Sequence, residues 1–198
     1  MTTETLTERM ILTPIDPKNE DEIAALFAIQ SDPATWTHLP EGRETRISQT
    51  RTVASQHCTS WEEFGLGWWT VRLRENLGDV EVATIIGLGG CGIRNPELRA
   101  WNLGYRLIPA VWGHGLATEL SRAAVDASQE AQSDIPITAR VLTHNTASWR
   151  VLERVGLTPV WEGTAETLLY PLTSQMHRRV YADRPIPERM MNQLIALG

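Results

Sequence analysis

The chain has 198 residues, the length of one domain, because typical domains hold about 150 residues. Its 42% hydrophobic and 21% charged residues are ordinary for a globular protein and exclude collagen-like, coiled-coil and wholly disordered chains. The net charge of −6, without a basic cluster, argues against a nucleic-acid partner and favours neutral or cationic ones. No apolar run reaches the ~18 residues of a membrane span, and the first residues lack the pattern of a secretory signal. We therefore expect a cytoplasmic protein without a membrane partner.

The first half of the chain predicts several strands and two helices. Asn19 can cap a helix in which Ile23, Leu26, Phe27 and Gln30 share one face. Glycines within the predicted strand 82–93 indicate bulges or a close approach by another group. In chain order, the predicted elements are a strand over 7–15, a helix from Asn19 to about Ile29, a loop over 35–42, a helix from Glu44 to about Glu63, and strands over 67–73, 82–93 and 100–108.

Helices and strands alternate in the second half. In chain order, the predicted elements are a helix from Gly115 to about Ala131, a strand over 136–143, a helix over 146–155, strands over 157–161 and 178–182, and a short helix over 187–197. Gly156 ends the helix over 146–155, because glycine readily adopts the left-handed conformation that stops a helix. Antiparallel strands followed by a β-α-β unit predict a mixed α+β fold.

A glycine-containing stretch, Val-Trp-Gly-His-Gly-Leu-Ala-Thr over residues 111–118, joins a strand to a long helix. The first amides of a helix have no internal partner, and glycine lets the backbone come close to an anion. The stretch is consistent either with a pyrophosphate site or with a turn that binds nothing. It lacks the dinucleotide-binding fingerprint and the Walker lysine, so the phosphate would belong to another ligand.

Polar residues follow the predicted strand 136–143 at its carboxyl end. Asn145 and Thr146 are suited to capping the next helix, and Ser148 falls in its first turn. The carboxyl ends of strands are also where α/β units bind ligands. Helix capping and ligand binding therefore both remain open for these residues.

Three motifs in order give the chain a family resemblance. They are Thr-Glu-Arg-Met-Ile-Leu at 7–12, Leu-Gly-Tyr-Arg-Leu at 103–107 leading into 112–119, and 145–157; the ending at 180–185 is also typical. Together they resemble the GNAT superfamily of acyl-CoA-dependent N-acyltransferases, and within it the ribosomal-protein N-acetyltransferase (RimJ/RimL-like) branch. Each motif alone is weak, but their order and spacing are specific.

The resemblance implies a single N-acetyltransferase domain over 1–198, with a core at 7–183 and a C-terminal helix at 187–197. Its fold would be a mixed, mostly antiparallel sheet with a splayed cleft for coenzyme A, flanked by helices. The implied reaction moves an acetyl group from acetyl-CoA to a primary amine by direct attack in a ternary complex. The amine partner would be a protein N-terminus or a small molecule, and a homodimer is common in the family. The alternative is a non-catalytic acyl-CoA-binding or regulatory module.

The resemblance also implies roles for individual residues. The implied cofactor-binding residues are Leu107 and Ile108 beside the pantetheine arm, Gly113, His114, Gly115, Leu116, Ala117 and Thr118 around the pyrophosphate, and Asn145 and Ser148 near the thioester. Ser148 would protonate or hydrogen-bond the leaving thiolate. Pro109 lacks an N–H, so we expect it to help end strand pairing and open the cleft. Trp36, His38 and Asn102 would lie on the acceptor side, although Trp36 could instead anchor its loop.

The general base is open. An alkyl amine titrates near ~10, so a base, a water chain or desolvation must give its neutral form. Many family members carry Glu where this chain has Asn102, and a neutral amide cannot accept that proton. His38, Glu41 and His144 are the candidates, while an amide at Leu107 or Ile108 could stabilise the oxyanion. No metal is expected, because neither the histidines nor the two cysteines show metal-ligand spacing.

Overall fold

The computed structural model describes residues 4–164 and 174–197. Within them, one sheet of eight strands has the order β1-β2-β3-β4-β5-β6-β8-β7. The strands are β1 Thr5–Leu6, β2 Met10–Pro14, β3 Trp69–Leu73, β4 Ile85–Gly92, β5 Trp101–Leu107, β6 Ile137–Leu142, β7 Thr158–Gly163 and β8 Arg178–Ala182. All neighbours are antiparallel except β5 and β6. This confirms the predicted mixed, mostly antiparallel sheet.

Helices cover both faces of the sheet. The α-helices are α1 Glu20–Gln30, α2 Ile47–Phe64, α3 Leu116–Gln132, α4 Thr146–Arg154 and α5 Glu188–Leu197. Thr70 on β3 donates to Glu22 of α1, whereas the next residue, Val71, packs in a cluster with Leu116 and Leu120 of α3. Successive strand residues point to opposite faces, so α1 and α3 lie on opposite sides. No helix in the described ranges is both long and apolar enough to span a membrane.

Some element boundaries differ from the predictions. The strand predicted at 7–15 begins only at Met10, because Thr7 bonds back to Met10 and turns the chain, and a separate short strand, β1, precedes the predicted range. The helix predicted from Glu44 begins at Ile47, since the Gln49 side chain caps the preceding amides. The strand predicted at 82–93 begins only at Ile85, after a turn.

The cleft opens where β5 and β6 part. Their pairing is limited to Trp101 with Ile137 and Asn102 with Thr138, while β5 continues beside β4 as far as Leu107. The predicted role of Pro109 in ending this pairing is wrong, because the strands separate well before it. Pro109 instead begins a short 3-10 turn that leads towards α3.

Candidate active site

The end of β5 presents one main-chain amide to the cleft. The Ile108 N–H donates to the Ile86 carbonyl oxygen of β4 at 2.9 Å. Amide directions alternate along an antiparallel strand, so the Leu107 N–H points away from β4, towards the gap that β6 leaves. The Ile108 amide is thus used within the sheet, and of the two amides considered for an oxyanion only Leu107 faces the cleft.

The glycine turn, residues 113–118, supplies a second set of donors. Gly113 and Gly115 have φ of +81° and +79°, in the left-handed region that favours glycine. The amides of this turn that donate to no protein acceptor in the described part of the chain are those of Gly113, His114, Gly115, Leu116 and Ala117. The last two of these amides, those of Leu116 and Ala117, stand in the first turn of the 17-residue helix α3, whose dipole favours an anion there.

The glycine turn also has the space that a phosphate needs. A Cβ placed on Gly113 would meet nothing within 4 Å, and one on Gly115 would approach only the Arg9 Nη2 at 3.7 Å. Thr118 differs from the prediction, because its amide already donates to the Gly115 carbonyl oxygen at 3.0 Å. The turn therefore fits a pyrophosphate through its first five amides rather than through all six.

Arg9 ties the glycine turn to the first long strand. Its guanidinium bonds the Glu119 carboxylate through Nε at 2.8 Å and Nη2 at 2.7 Å, and its amide donates to the same carboxylate at 2.9 Å. Its Nη1 donates to the His114 carbonyl oxygen at 2.8 Å. Two elements far apart in the sequence thereby fix the conformation of the turn.

A cavity of about 300 Å³ adjoins the cleft. The sequence-predicted residues that line it are Trp36, His38, Asn102, Asn145 and Ser148. Glu41, one of the candidate bases, is exposed and does not line it. His144 is also exposed, and its Nε2 lies 3.0 Å from the His38 carbonyl oxygen. The cavity thus joins loops before α2 to the start of α4 across the open part of the sheet.

Trp36 both anchors its loop and lines the cavity. Its Nε1 donates to the Gln30 carbonyl oxygen at 2.6 Å, and the Arg106 guanidinium carbon lies 3.3 Å from its ring centre. The His38 ring stacks on the same tryptophan at 6.2 Å. Burial, then the charges of Arg106 and His144, lower the pKa of His38 to about 4. His38 is therefore neutral near pH 7 and a weak base.

Asn145 and Ser148 share a helix cap. Asn145 is the N-cap of α4, where its Oδ1 accepts from the Ser148 amide at 3.3 Å. Capping is therefore an observed role of Asn145, which still faces the cavity. Burial raises the pKa of Tyr105, and an interaction with the Ser148 hydroxyl partly offsets this. The sequence did not single out Tyr105, which places a second hydroxyl beside Ser148.

Comparison with known proteins decides the family. A family model described as the acetyltransferase (GNAT) domain matches residues 9–158. The chain belongs to the GNAT acetyltransferase family. It is thus an acetyltransferase of a family that uses acetyl-CoA as the acetyl donor.

Related proteins agree with this membership. The uncharacterized N-acetyltransferase YoaA of Bacillus subtilis is 27% identical over 179 residues, covering 89% of this chain and 93% of YoaA. An acetyltransferase structure from Agrobacterium tumefaciens has a TM-score of 0.67 at 22% identity, over 93% of this chain and 96% of that one. RimL, a ribosomal L7/L12 alpha-N-protein acetyltransferase solved with coenzyme A, has a TM-score of 0.65 at 19% identity, over 92% of this chain and 97% of its own.

The charged lining of the acetyltransferase cavity is mostly basic. Arg94, Arg106, Arg140 and Arg178 line it, and Glu44 is the one carboxylate among its described lining residues. The chain as a whole has a net charge of −6, so whole-chain charge does not predict the charge of this cavity. Within the described ranges, no three His, Cys, Asp or Glu side chains are grouped so as to hold a metal ion.

Sequence reasoning missed Glu44 and Gln30. Gln30 is the last residue of α1, and Glu44 lies just before α2. Both fall at helix ends, where polar residues are common, so the sequence carried no signal that they meet. Only the packing of α1 against α2 brings them together in the cavity.

Proposed function

We propose that this acetyltransferase moves the acetyl group of acetyl-CoA to a primary amine by direct attack in a ternary complex. The acceptor is a protein N-terminal amine or a small-molecule amine. The proposal rests on one observation, which is that three parts of the site adjoin one another. The glycine turn, the cleft-facing Leu107 amide and the adjoining cavity offer, in order, places for a pyrophosphate, a thioester and an amine.

Coenzyme A is assigned to the cleft by its chemistry. The pyrophosphate is a double anion, which suits the amides from Gly113 to Ala117 at the start of α3. The pantetheine arm carries amides that can pair with the main chain of β5 near Leu107, in place of the missing strand neighbour. Asn145, whose side chain faces the cavity, is assigned to the same arm. Thr118 stays a predicted cofactor-binding residue, but its amide is already bonded within the turn.

The chain's own groups meet the needs of acyl transfer. Bound acetyl-CoA supplies an activated carbonyl carbon and a sulfur leaving group. The Leu107 amide would stabilise negative charge on the carbonyl oxygen as the amine adds. The Ser148 hydroxyl would donate to the sulfur as it leaves, with Tyr105 beside it to orient that hydroxyl.

The second candidate is a non-catalytic acyl-CoA-binding module of the same fold. Asn102 favours it, because it lines the cavity where many relatives carry a glutamate. Transfer of acetyl to an amine distinguishes the two, and an Asn102→Glu variant that gained activity would favour the binding module. The RimJ/RimL-like branch, the cytoplasmic location and the homodimer stay predictions.

Thermal unfolding with acetyl-CoA tests the cofactor assignment, with ATP and NAD as controls. A ligand at ~100 times its Kd stabilises the native state by roughly 2.7 kcal/mol, which is about 5–10 °C for a chain of this size. We expect this rise with acetyl-CoA alone. Release of free thiol in the presence of peptides, amino acids and polyamines then tests transfer. No rise at saturating acetyl-CoA would overturn the proposal.

A further inference from the structure

The carboxylate of Glu44 lines the cavity beside the cleft and is fixed by hydrogen bonds. Glu44 is 7% exposed, and its Oε1 accepts from the Gln30 side-chain amide at 3.2 Å. Its Oε2 accepts from the Thr50 hydroxyl. Its own amide donates to the Gln30 carbonyl oxygen at 3.2 Å, so α1 and α2 both fix it. Each carboxylate oxygen has two acceptor sites, so one remains on each for a ligand N–H.

The surroundings of Glu44 make it a stronger base than an ordinary carboxylate. Burial raises its pKa, while hydrogen bonds from Thr50 and Gln30 and the charges of Arg106 and Arg94 oppose the rise without cancelling it. A base that titrates closer to the working pH removes protons more effectively while it is still ionised. Glu44 therefore combines a place in the cavity lining with a pKa raised above the ordinary value.

The other candidate bases lack one of these properties. His38 lines the cavity, but its pKa is lowered to about 4. His144 is exposed and its ring Nε2 contacts the His38 carbonyl oxygen. Glu41 is exposed outside the cavity lining, and Asn102 has no basic group. Among the described residues that line the cavity, Glu44 alone has a carboxylate.

We propose that Glu44 receives the acceptor amine and removes its proton, with Gln30 as the residue that positions it. The inference rests on the proposed acetyl transfer. An arriving ammonium gives one proton to Glu44, which passes it to solvent. The neutral nitrogen then bonds to the carbonyl carbon, the C–S bond breaks, and the electron pair leaves with the sulfur. The second nitrogen proton ends on that sulfur, through the Ser148 hydroxyl, so amide, thiol and one proton are the products.

Gln30 supports the same assignment independently. Its Nε2 is committed to Glu44, and its buried Oε1 has no hydrogen-bond partner among the described residues. A buried acceptor without a donor is unfavourable, so a group that brings an N–H or O–H donor to the Gln30 Oε1 would stabilise the site. An ammonium has three such donors, enough for the carboxylate and the neighbouring amide oxygen.

The test compares Glu44→Gln with Glu41→Gln, an exposed carboxylate close by in the chain. Glutamine matches glutamate in shape. The melting temperature of the Glu44→Gln variant, and the rise in that temperature caused by acetyl-CoA, should therefore stay near those of the wild type. We expect Glu44→Gln to lower kcat about 10²-fold or more and to remove the acidic limb of the pH–rate profile, with Glu41→Gln unchanged. A retained rate or acidic limb would overturn the assignment of Glu44.

A comparison of two acceptors shows whether Glu44 acts as a base or only stabilises the structure. Hydroxylamine has a nitrogen that is already unprotonated near neutral pH, so the loss caused by Glu44→Gln should be much smaller with it than with an alkyl amine. An equal loss with both would contradict proton removal by Glu44.

A titration without turnover completes the test. The carbon-13 signal of the Glu44 carboxyl should titrate above the ordinary glutamate pKa of 4.5 and shift when methylammonium is added. A signal that methylammonium does not move would contradict an amine site there. If acetyl-CoA gives the wild type no thermal shift, the proposed function itself fails. If the shift is present and the Glu44 results are negative, only this inference fails.

Discussion

Replacing Gly113 by alanine adds one methyl group to the glycine turn and tests whether that turn binds coenzyme A. An L-residue at φ +81° costs about 1–2 kcal/mol, which lowers the melting temperature of a chain this long by about 2–8 °C. Nothing lies within 4 Å of the added Cβ, so the protein itself offers no clash. The methyl would occupy open space beside the amides that the proposal assigns to the phosphate. Loss of one hydrogen bond to a charged group, worth about 1.5–3 kcal/mol, raises the Kd of coenzyme A about 10- to 150-fold.

Gly156 provides the matched control. Its φ is +91° and a Cβ there also meets nothing within 4 Å, but it ends α4 rather than beginning α3. Both alanine variants should lose similar melting temperature, and only Gly113→Ala should weaken coenzyme A binding in isothermal titration calorimetry. Equal Kd values in the two variants would refute the role of the turn.

Three further predictions concern other parts of the molecule. Ser148→Ala should lower kcat about 10²-fold in steady-state assays while the acetyl-CoA thermal shift is kept, and an unchanged kcat would remove Ser148 from the reaction. Arg9→Lys should raise the Kd of coenzyme A roughly tenfold in calorimetry, since lysine cannot keep both the Glu119 and His114 bonds, while Arg51→Lys, which alters an ion pair with Glu20 instead, leaves it unchanged. Burial lowers the pKa of His57 to about 3 in the folded chain, below the 6.5 of the unfolded chain. The unfolded chain therefore takes up the proton first as the pH falls below 6.5, and the free energy of unfolding decreases. His57→Gln should therefore lose about 2 kcal/mol less than the wild type between pH 7 and 5 in urea unfolding, and an equal loss would contradict this assignment.

Local sequence signals predicted the fold because they act over short distances. Gly115 and Gly156 are left-handed residues at helix ends, and Asn19 and Asn145 cap helices as their residue types predict. The order of the three motifs then gave the family and its splayed sheet. Pro109 shows the limit of this reasoning, because the parting of two strands depends on the pairing of β6 and not on one missing N–H.

The acceptor side was harder to predict because it depends on contacts between distant segments. The Gln30–Glu44 hydrogen bond and the Arg106–Trp36 stacking join residues that no local pattern relates. His38 lay in the predicted region, but its lowered pKa comes from burial that only tertiary packing creates. A search for the base by residue type therefore named His38, His144 and the exposed Glu41, and it missed the buried Glu44.

An amide NMR titration tests whether coenzyme A binds at the glycine turn and at Leu107. We expect the nitrogen-15 and proton signals of Leu107 and of the amides from Gly113 to Ala117 to shift as coenzyme A is added, reaching saturation at one ligand per chain. The signals of Gly78 and Gly156, in turns away from the cleft, should stay unmoved. Shifts confined to other regions, with the glycine turn unaffected, would contradict the account.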